Sequence, residues 1–333
     1  MAAKKFFVYL LIILLTVYPA SAESISVNRW VLNVTLHDDG LVEEVIQAEI
    51  ENGGSSDLHG FSFTVPASQV TMIYDFDHTA SFTGQVVELQ TVSGKTKITI
   101  NFNDSIPGGK KWDGRIGFTA ENWAVKQGSD YSIDIPIEAP QAIVSGKGTA
   151  MSVSADADIR TQVFFPKAVE VTSINPAPFR ILFQYGHMVP TYSSDKLHVG
   201  DTISIKGSYS DTLNKIVGND DLIRSLSTSI KQAKAQGKDV SEAEAHLKNA
   251  EDYNTNQALA SFWKKDNAAA LEYVGYAKDE LSKAEASLKG EVKETPQPTS
   301  GTEGESKKTP GFEAFVLVFI TMATFHIMKK RRK

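Results

Sequence analysis

The sequence predicts a mainly β body followed by an α-helical module, with a hydrophobic segment at each chain end. Three observations lead there. From residue 23 to about residue 209 apolar residues recur with a period of two, and no helical period interrupts them. After Leu213 the period changes to 3.6. Residues 1–22 and 310–333 each combine an apolar run with a group of basic residues, which reads as targeting rather than fold.

In chain order, residues 1–22 have the form of a secretory signal. Lys4 and Lys5 precede the apolar run Phe6 to Leu15, and Ala20-Ser21-Ala22 supplies small residues for cleavage before Glu23. The run is shorter than the roughly 20 residues that a membrane-spanning helix needs, which favours cleavage over retention.

Residues 23–140 read as a β-sandwich module. Val42, Ile46, Ala48 and Ile50 fall on one face of a strand, with Glu43, Gln47, Glu49 and Glu51 on the other. Phe61, Phe63 and Val65 alternate with Ser62 and Thr64, as do Ile98, Ile100 and Phe102 with Thr99 and Asn101. Tyr131, Ile133, Ile135 and Ile137 repeat the pattern. Half-buried strands of this kind build antiparallel sheets with one wet face. Asp38-Asp39-Gly40 and Ser93-Gly94-Lys95 are hairpin turns. Residues 141–212 follow as a second β module packed on the first; a single large two-sheet domain fits the same pattern.

Residues 213–290 predict a three-helix bundle or helical hairpin. Leu222, Leu226, Ile230 and Ala233 share a face, and Gly237 is a C-terminal cap. Ser241-Glu242-Ala243-Glu244 has the capping-box pattern. Asp266 caps a last helix in which Ala270, Val274, Ala277, Leu281, Ala284 and Leu288 step by four and three. The spacing of Ala258, Phe262, Asp266, Ala270 and Leu271 resembles half of a tetratricopeptide-like hairpin. A single unit makes no solenoid, so the resemblance implies no more than helix-hairpin packing and a peptide-binding groove, and a rigid spacer is the preferred reading. Residues 291–309 contain one aliphatic residue, Val292, among Pro, Thr, Ser, Gly, Glu and Lys, and predict a disordered stalk.

Residues 310–333 carry the more specific signal. Ala314 to Met328 is uncharged apart from the titratable His326, and Lys329-Lys330-Arg331-Arg332-Lys333 closes the chain. Basic residues on that side hold the end in the cytoplasm, so a cleaved leader leaves residues 23–309 outside. Pro310-Gly311-Phe312, then Glu313, the apolar run and the basic terminus resemble the archaeal PGF C-terminal sorting signal. That resemblance implies recognition of Pro310, Gly311 and Phe312 by an archaeosortase, removal of the hydrophobic tail and its replacement by lipid. A single-pass anchor that stays on the protein gives the same topology.

Composition narrows the chemistry. The chain has no cysteine, which excludes disulfides, thiol nucleophiles and cysteine-ligated metals. Subtracting +2 on residues 1–22 and +4 on residues 311–333 from the net charge of −6 leaves −12 on the body, which repels nucleic acid. The seven histidines form no His-Glu-x-x-His, and the chain has no Gly-x-Ser-x-Gly, Walker loop or dinucleotide fingerprint. The chain therefore reads as non-enzymatic and free of cofactor. Asp75 and Asp77 are the candidate calcium ligands, because alternate strand positions point to one side; Asp156 and Asp158 form a second such pair. Asn33 and Asn103 are sequon acceptors, with Asn103 favoured because it reads as loop. Trp30, Trp112, Trp123 and Trp263 read as core. The expectation is an exported, membrane-anchored cell-surface protein with a structural or interaction role. Its partners would be the membrane, signal peptidase and archaeosortase as processing enzymes, and other envelope proteins. An accessory subunit of a membrane complex is the alternative, and a surface hydrolase would need a pocket with facing carboxylates.

Overall fold

The computed structural model describes residues 24–77 and 85–290. The strands run in chain order as β1 (Ile25–Leu36), β2 (Val42–Asn52), β3 (Leu58–Val65), β4 (Gln69–Asp77), β5 (Gln85–Val92), β6 (Lys95–Ile106), β7 (Lys110–Glu121) and β8 (Val125–Gln127). They continue as β9 (Asp130–Pro136), β10 (Gln141–Val144), β11 (Lys147–Ala150), β12 (Ser152–Phe164), β13 (Val169–Asn175), β14 (Arg180–Gln184), β15 (His187–Tyr192) and β16 (Thr202–Tyr209). The order of mainly β, then α, is the one that the sequence predicts.

The strands form three sheets. One has seven strands in the order β14-β15-β12-β1-β2-β7-β4, one has five as β11-β10-β3-β6-β5, and one has four as β13-β16-β9-β8. Both foreseen hairpin turns are present. His37 N–H donates to the Leu41 carbonyl across the β1–β2 turn at 2.9 Å. Ser93 and Gly94 both adopt positive φ, +52° and +78°, the twist that a two-residue β5–β6 turn requires. In β2, buried and half-buried positions alternate without a break, as a strand with one dry face must. Pairing also runs between strands far apart in sequence: β1 lies parallel to β12, β3 antiparallel to β10, and β9 antiparallel to β16. The β1–β12 parallel pair makes the large sheet mixed, which strand patterning alone does not reveal.

One hydrophobic core joins residues from Ile25 to Ile205. Its aromatic centre is tightly spaced, with Phe61 and Trp112 at 4.9 Å and Trp30 and Phe63 at 5.6 Å between ring centroids. Trp30, Trp112 and Trp123 are buried, whereas Trp263 is 39% exposed and lies outside that core.

The helical module contains α1 (Asp211–Ala235), α2 (Ser241–Glu251), α3 (Leu259–Trp263) and α4 (Asn267–Lys289). A π-helical turn, Asp252–Ala258, joins α2 to α3. α1 begins two residues before Leu213, because the Ser210 hydroxyl accepts the Leu213 N–H and caps it. Gly237 sits beyond the end of α1 at φ +79°, the left-handed residue that closes a helix. Asp266 caps α4 by accepting the Ala269 N–H at 3.1 Å. The capping box at Ser241 is not formed. Ser241 is itself the first helical residue, and both its N–H and its hydroxyl donate to the Asp239 carboxylate, at 3.0 and 2.8 Å. The carboxylate two residues upstream is the stronger acceptor and takes the role assigned to serine.

Two apolar clusters hold the helices. Ile223, Ile230, Ala243, Leu247 and Leu281 pack at one end. At the other, Leu213, Ile216, Phe262 and Ala270 pack with Met188 of β15 and against Ile181 and Phe183 of β14, joining the module to the large sheet. Two buried amides cross-link the helices there: Asn219 donates to the Val274 carbonyl and Asn254 to the Ile216 carbonyl, both at 3.0 Å.

Candidate functional site

β2 places one acidic residue on its dry face. Glu44 lies on the same side as Val42, Ile46, Ala48 and Ile50 and is only 4% exposed. It makes no hydrogen bond or ion pair with any described residue. Burial alone pushes its carboxyl up from the usual carboxylate range to about 8, so Glu44 is a neutral acid at pH 7.

The carboxyl borders a cavity of about 20 Å³, lined also by Trp30, Phe63, Trp123 and Glu138. Trp123 is fixed by its indole N–H, which donates to the Asp134 carbonyl at 2.8 Å. Trp30 meets Phe63 edge-on, at an interplanar angle of 78°. Glu138 is exposed and stands at the mouth with half-buried Thr64, Pro66 and Pro136. The volume holds one water or an atom group of that size. Two carboxyl groups share the lining, but glycoside cleavage needs room between them for a sugar, and 20 Å³ has none.

A second, larger concavity of about 540 Å³ lies between α1 and α4. Leu222, Leu226, Leu281 and Leu288 supply its apolar surface, and Leu222 is 49% exposed. Elsewhere on α4, Glu280 receives hydrogen bonds from His246, Asn249 and Lys283 at 2.8, 3.1 and 2.6 Å. Burial opposes its ionisation, but these bonds outweigh burial and bring the carboxyl down to about 2. This is a structural carboxylate that fastens α2 to α4.

The sequence-derived residues scatter. Asp75 and Asp77 belong to β4, an edge strand, and their side chains lie outside the described residues. Asp158 pairs with Arg160 at 2.6 Å, and Asp156 is exposed on the same strand. Among the described residues no three His, Asp or Glu side chains are grouped to hold a metal. Asn103 is exposed as expected but belongs to β6 rather than to a loop, because β6 continues to Ile106. Asn33 is half-buried in β1, a central strand. Ala20, Ala22, Pro310, Gly311 and Phe312 lie outside the described residues, as does the apolar run at 314–328. Among the described residues no helix is long and apolar enough to cross a membrane.

Glu44 is the residue that strand patterning missed. The signal was present: a single acid at an even position of 42–50, where every other even residue is apolar.

No family model and no curated protein matches the sequence. Among solved structures, an M1 zinc metallopeptidase from Deinococcus radiodurans is similar at 11% identity and a TM-score of 0.34, over 56% of this chain and 42% of that one. Leukotriene A4 hydrolase from Saccharomyces cerevisiae is similar at 10% identity and a TM-score of 0.32, over 56% of this chain and 29% of that one. The matched region spans less than half of either protein. Likeness this slight carries no argument about activity.

Proposed function

We propose that this chain is an exported archaeal cell-surface protein, anchored through its C-terminus at the outer face of the membrane, with a structural or interaction role. The observation that carries the reading is the pairing of its two ends. A leader with small residues at Ala20 and Ala22 opens the chain, and Pro310-Gly311-Phe312, an apolar run and five basic residues close it. The body between them suits display. Its helical module is joined to the large sheet through Met188 and Phe262, and α4 extends for 23 residues, about 35 Å, before the left-handed cap at Gly290. The polar segment 291–309 follows directly in the sequence.

Intact mass and C-terminal peptide mapping of the protein from its native membrane test this reading. The expected result is a mature start at Glu23, loss of the sequence beyond the Pro-Gly-Phe region, and an added lipid mass. A tail intact through Lys333 overturns the processing step and leaves a retained anchor. A soluble protein that keeps Met1 overturns export itself.

One observation favours a second reading, that of an accessory subunit of a membrane complex. The α1–α4 concavity exposes Leu222, beside half-buried Leu226 and Leu288, an apolar surface that a closed three-helix bundle would cover. Co-purification of a stoichiometric membrane partner, lost on Leu222→Glu, would favour that reading over simple display.

A further inference from the structure

We infer that the cavity beneath Glu44 is a binding site for a primary ammonium group, of the kind carried by an alkylamine or a lysine side chain. Three features of the site converge on this ligand. A carboxyl group that is almost wholly buried and has no partner among the described residues borders the space. Three aromatic residues, Trp30, Phe63 and Trp123, line it, and aromatic surfaces attract cations that have shed their water. A second carboxyl group, Glu138, stands at the exposed mouth, where it would draw a cation inward.

Size decides which cation. About 20 Å³ takes an –NH₃⁺ head, close to water in bulk, and excludes a quaternary ammonium, a sugar or a free amino acid taken up whole. A hard metal ion asks for six or more oxygen ligands. The side chains lining this cavity offer two carboxylates and the Thr64 hydroxyl. An ammonium has three donors and no acceptor, which matches a lining of carboxylate and aromatic surface.

The burial that keeps the empty site neutral also predicts how it binds. Glu44 holds its proton up to about pH 8, and a cation at the carboxyl favours the ionised form. An ammonium ion entering at pH 7 therefore displaces the Glu44 proton to solvent, leaving an ammonium–carboxylate pair in the site. The inference stands apart from the processing of the chain ends and does not depend on it.

The test titrates the full chain with methylammonium chloride at constant ionic strength and follows tryptophan emission, since Trp30 and Trp123 line the site. The expected result is a saturable change that sodium chloride and tetramethylammonium chloride do not reproduce. Glu44→Gln should weaken it at least about tenfold, the usual consequence of losing a charge-assisted bond. Circular dichroism checks that the variant is folded. Calorimetry at pH 7 in buffers of different ionisation enthalpy should show release of close to one proton per site. No saturable response, an equal response to tetramethylammonium, or an unchanged response in Glu44→Gln each overturns the inference and leaves the cavity a site for water alone.

Discussion

Glu44 shares its strand face with Val42, Ile46, Ala48 and Ile50, and burial there makes ionisation of its carboxyl costly. The direction of the resulting pH dependence follows from where its proton is held. In the unfolded chain the group ionises near 4.5, while in the fold it stays protonated to about 8. Between those values the folded state holds a proton that the unfolded state has lost. Stability from this group is therefore complete below pH 4.5, falls as pH rises, and is gone above 8. The span sets an upper limit of about 5 kcal/mol at 1.36 kcal/mol per pH unit. Glu44→Gln, which cannot ionise, should match the parent near pH 4.5 and become progressively more stable than it towards pH 8. Urea unfolding at both pH values measures this, and equal pH dependence in the two proteins would show that Glu44 is already neutralised by a bound group or ionises freely.

Among the elements, sequence patterning works where an element buries one face and fails where tertiary partners choose the outcome. The alternation in β2 and the four-and-three stepping of α4 are both legible because each element meets the core along one continuous side. The β5–β6 turn is legible because Ser-Gly is a small-residue pair able to take positive φ. The parallel pairing of β1 with β12 is not, since nothing local to either strand names a partner more than a hundred residues away. Glu44 escaped for a related reason: alternation registers the period of the apolar residues and passes over the single position that breaks it. The helix starts show the same competition on a smaller scale. Asp266 caps α4 as expected, whereas Asp239 takes the hydrogen bonds that would have let Ser241 cap α2. Asp266→Ala should accordingly lower stability by about 1 kcal/mol, while Ser241→Ala, which removes only an exposed hydroxyl beyond the cap position, should cost less. Denaturant midpoints of the two variants decide this, and a larger loss from Ser241→Ala would restore the capping-box assignment.

For the molecule as a whole, the question is what makes the helical module and the β body one cooperative unit. Among the described residues, both ion pairs and apolar packing cross between them. Ion pairs join Lys167 to Asp221 at 3.1 Å, and Lys265 to Glu170, with both lysines well exposed. Apolar packing joins Met188 of β15 to Leu213, Ile216 and Phe262, which are 0–2% exposed. Exposed ion pairs contribute at most about 1 kcal/mol each, because water and salt screen them. Truncating a buried phenylalanine costs about 3–5 kcal/mol through lost transfer energy and the cavity left behind. The packing should therefore set the coupling. In the parent protein, loss of helical circular dichroism and the change in tryptophan emission should coincide in a single urea transition. Lys167→Ala with Lys265→Ala should leave them coincident and shift the midpoint only slightly. Phe262→Ala should separate them, the helical signal falling first while Trp30, Trp112 and Trp123 still report a folded β core. If the double lysine variant separates the two signals and Phe262→Ala does not, electrostatics rather than burial joins the module to the sheet.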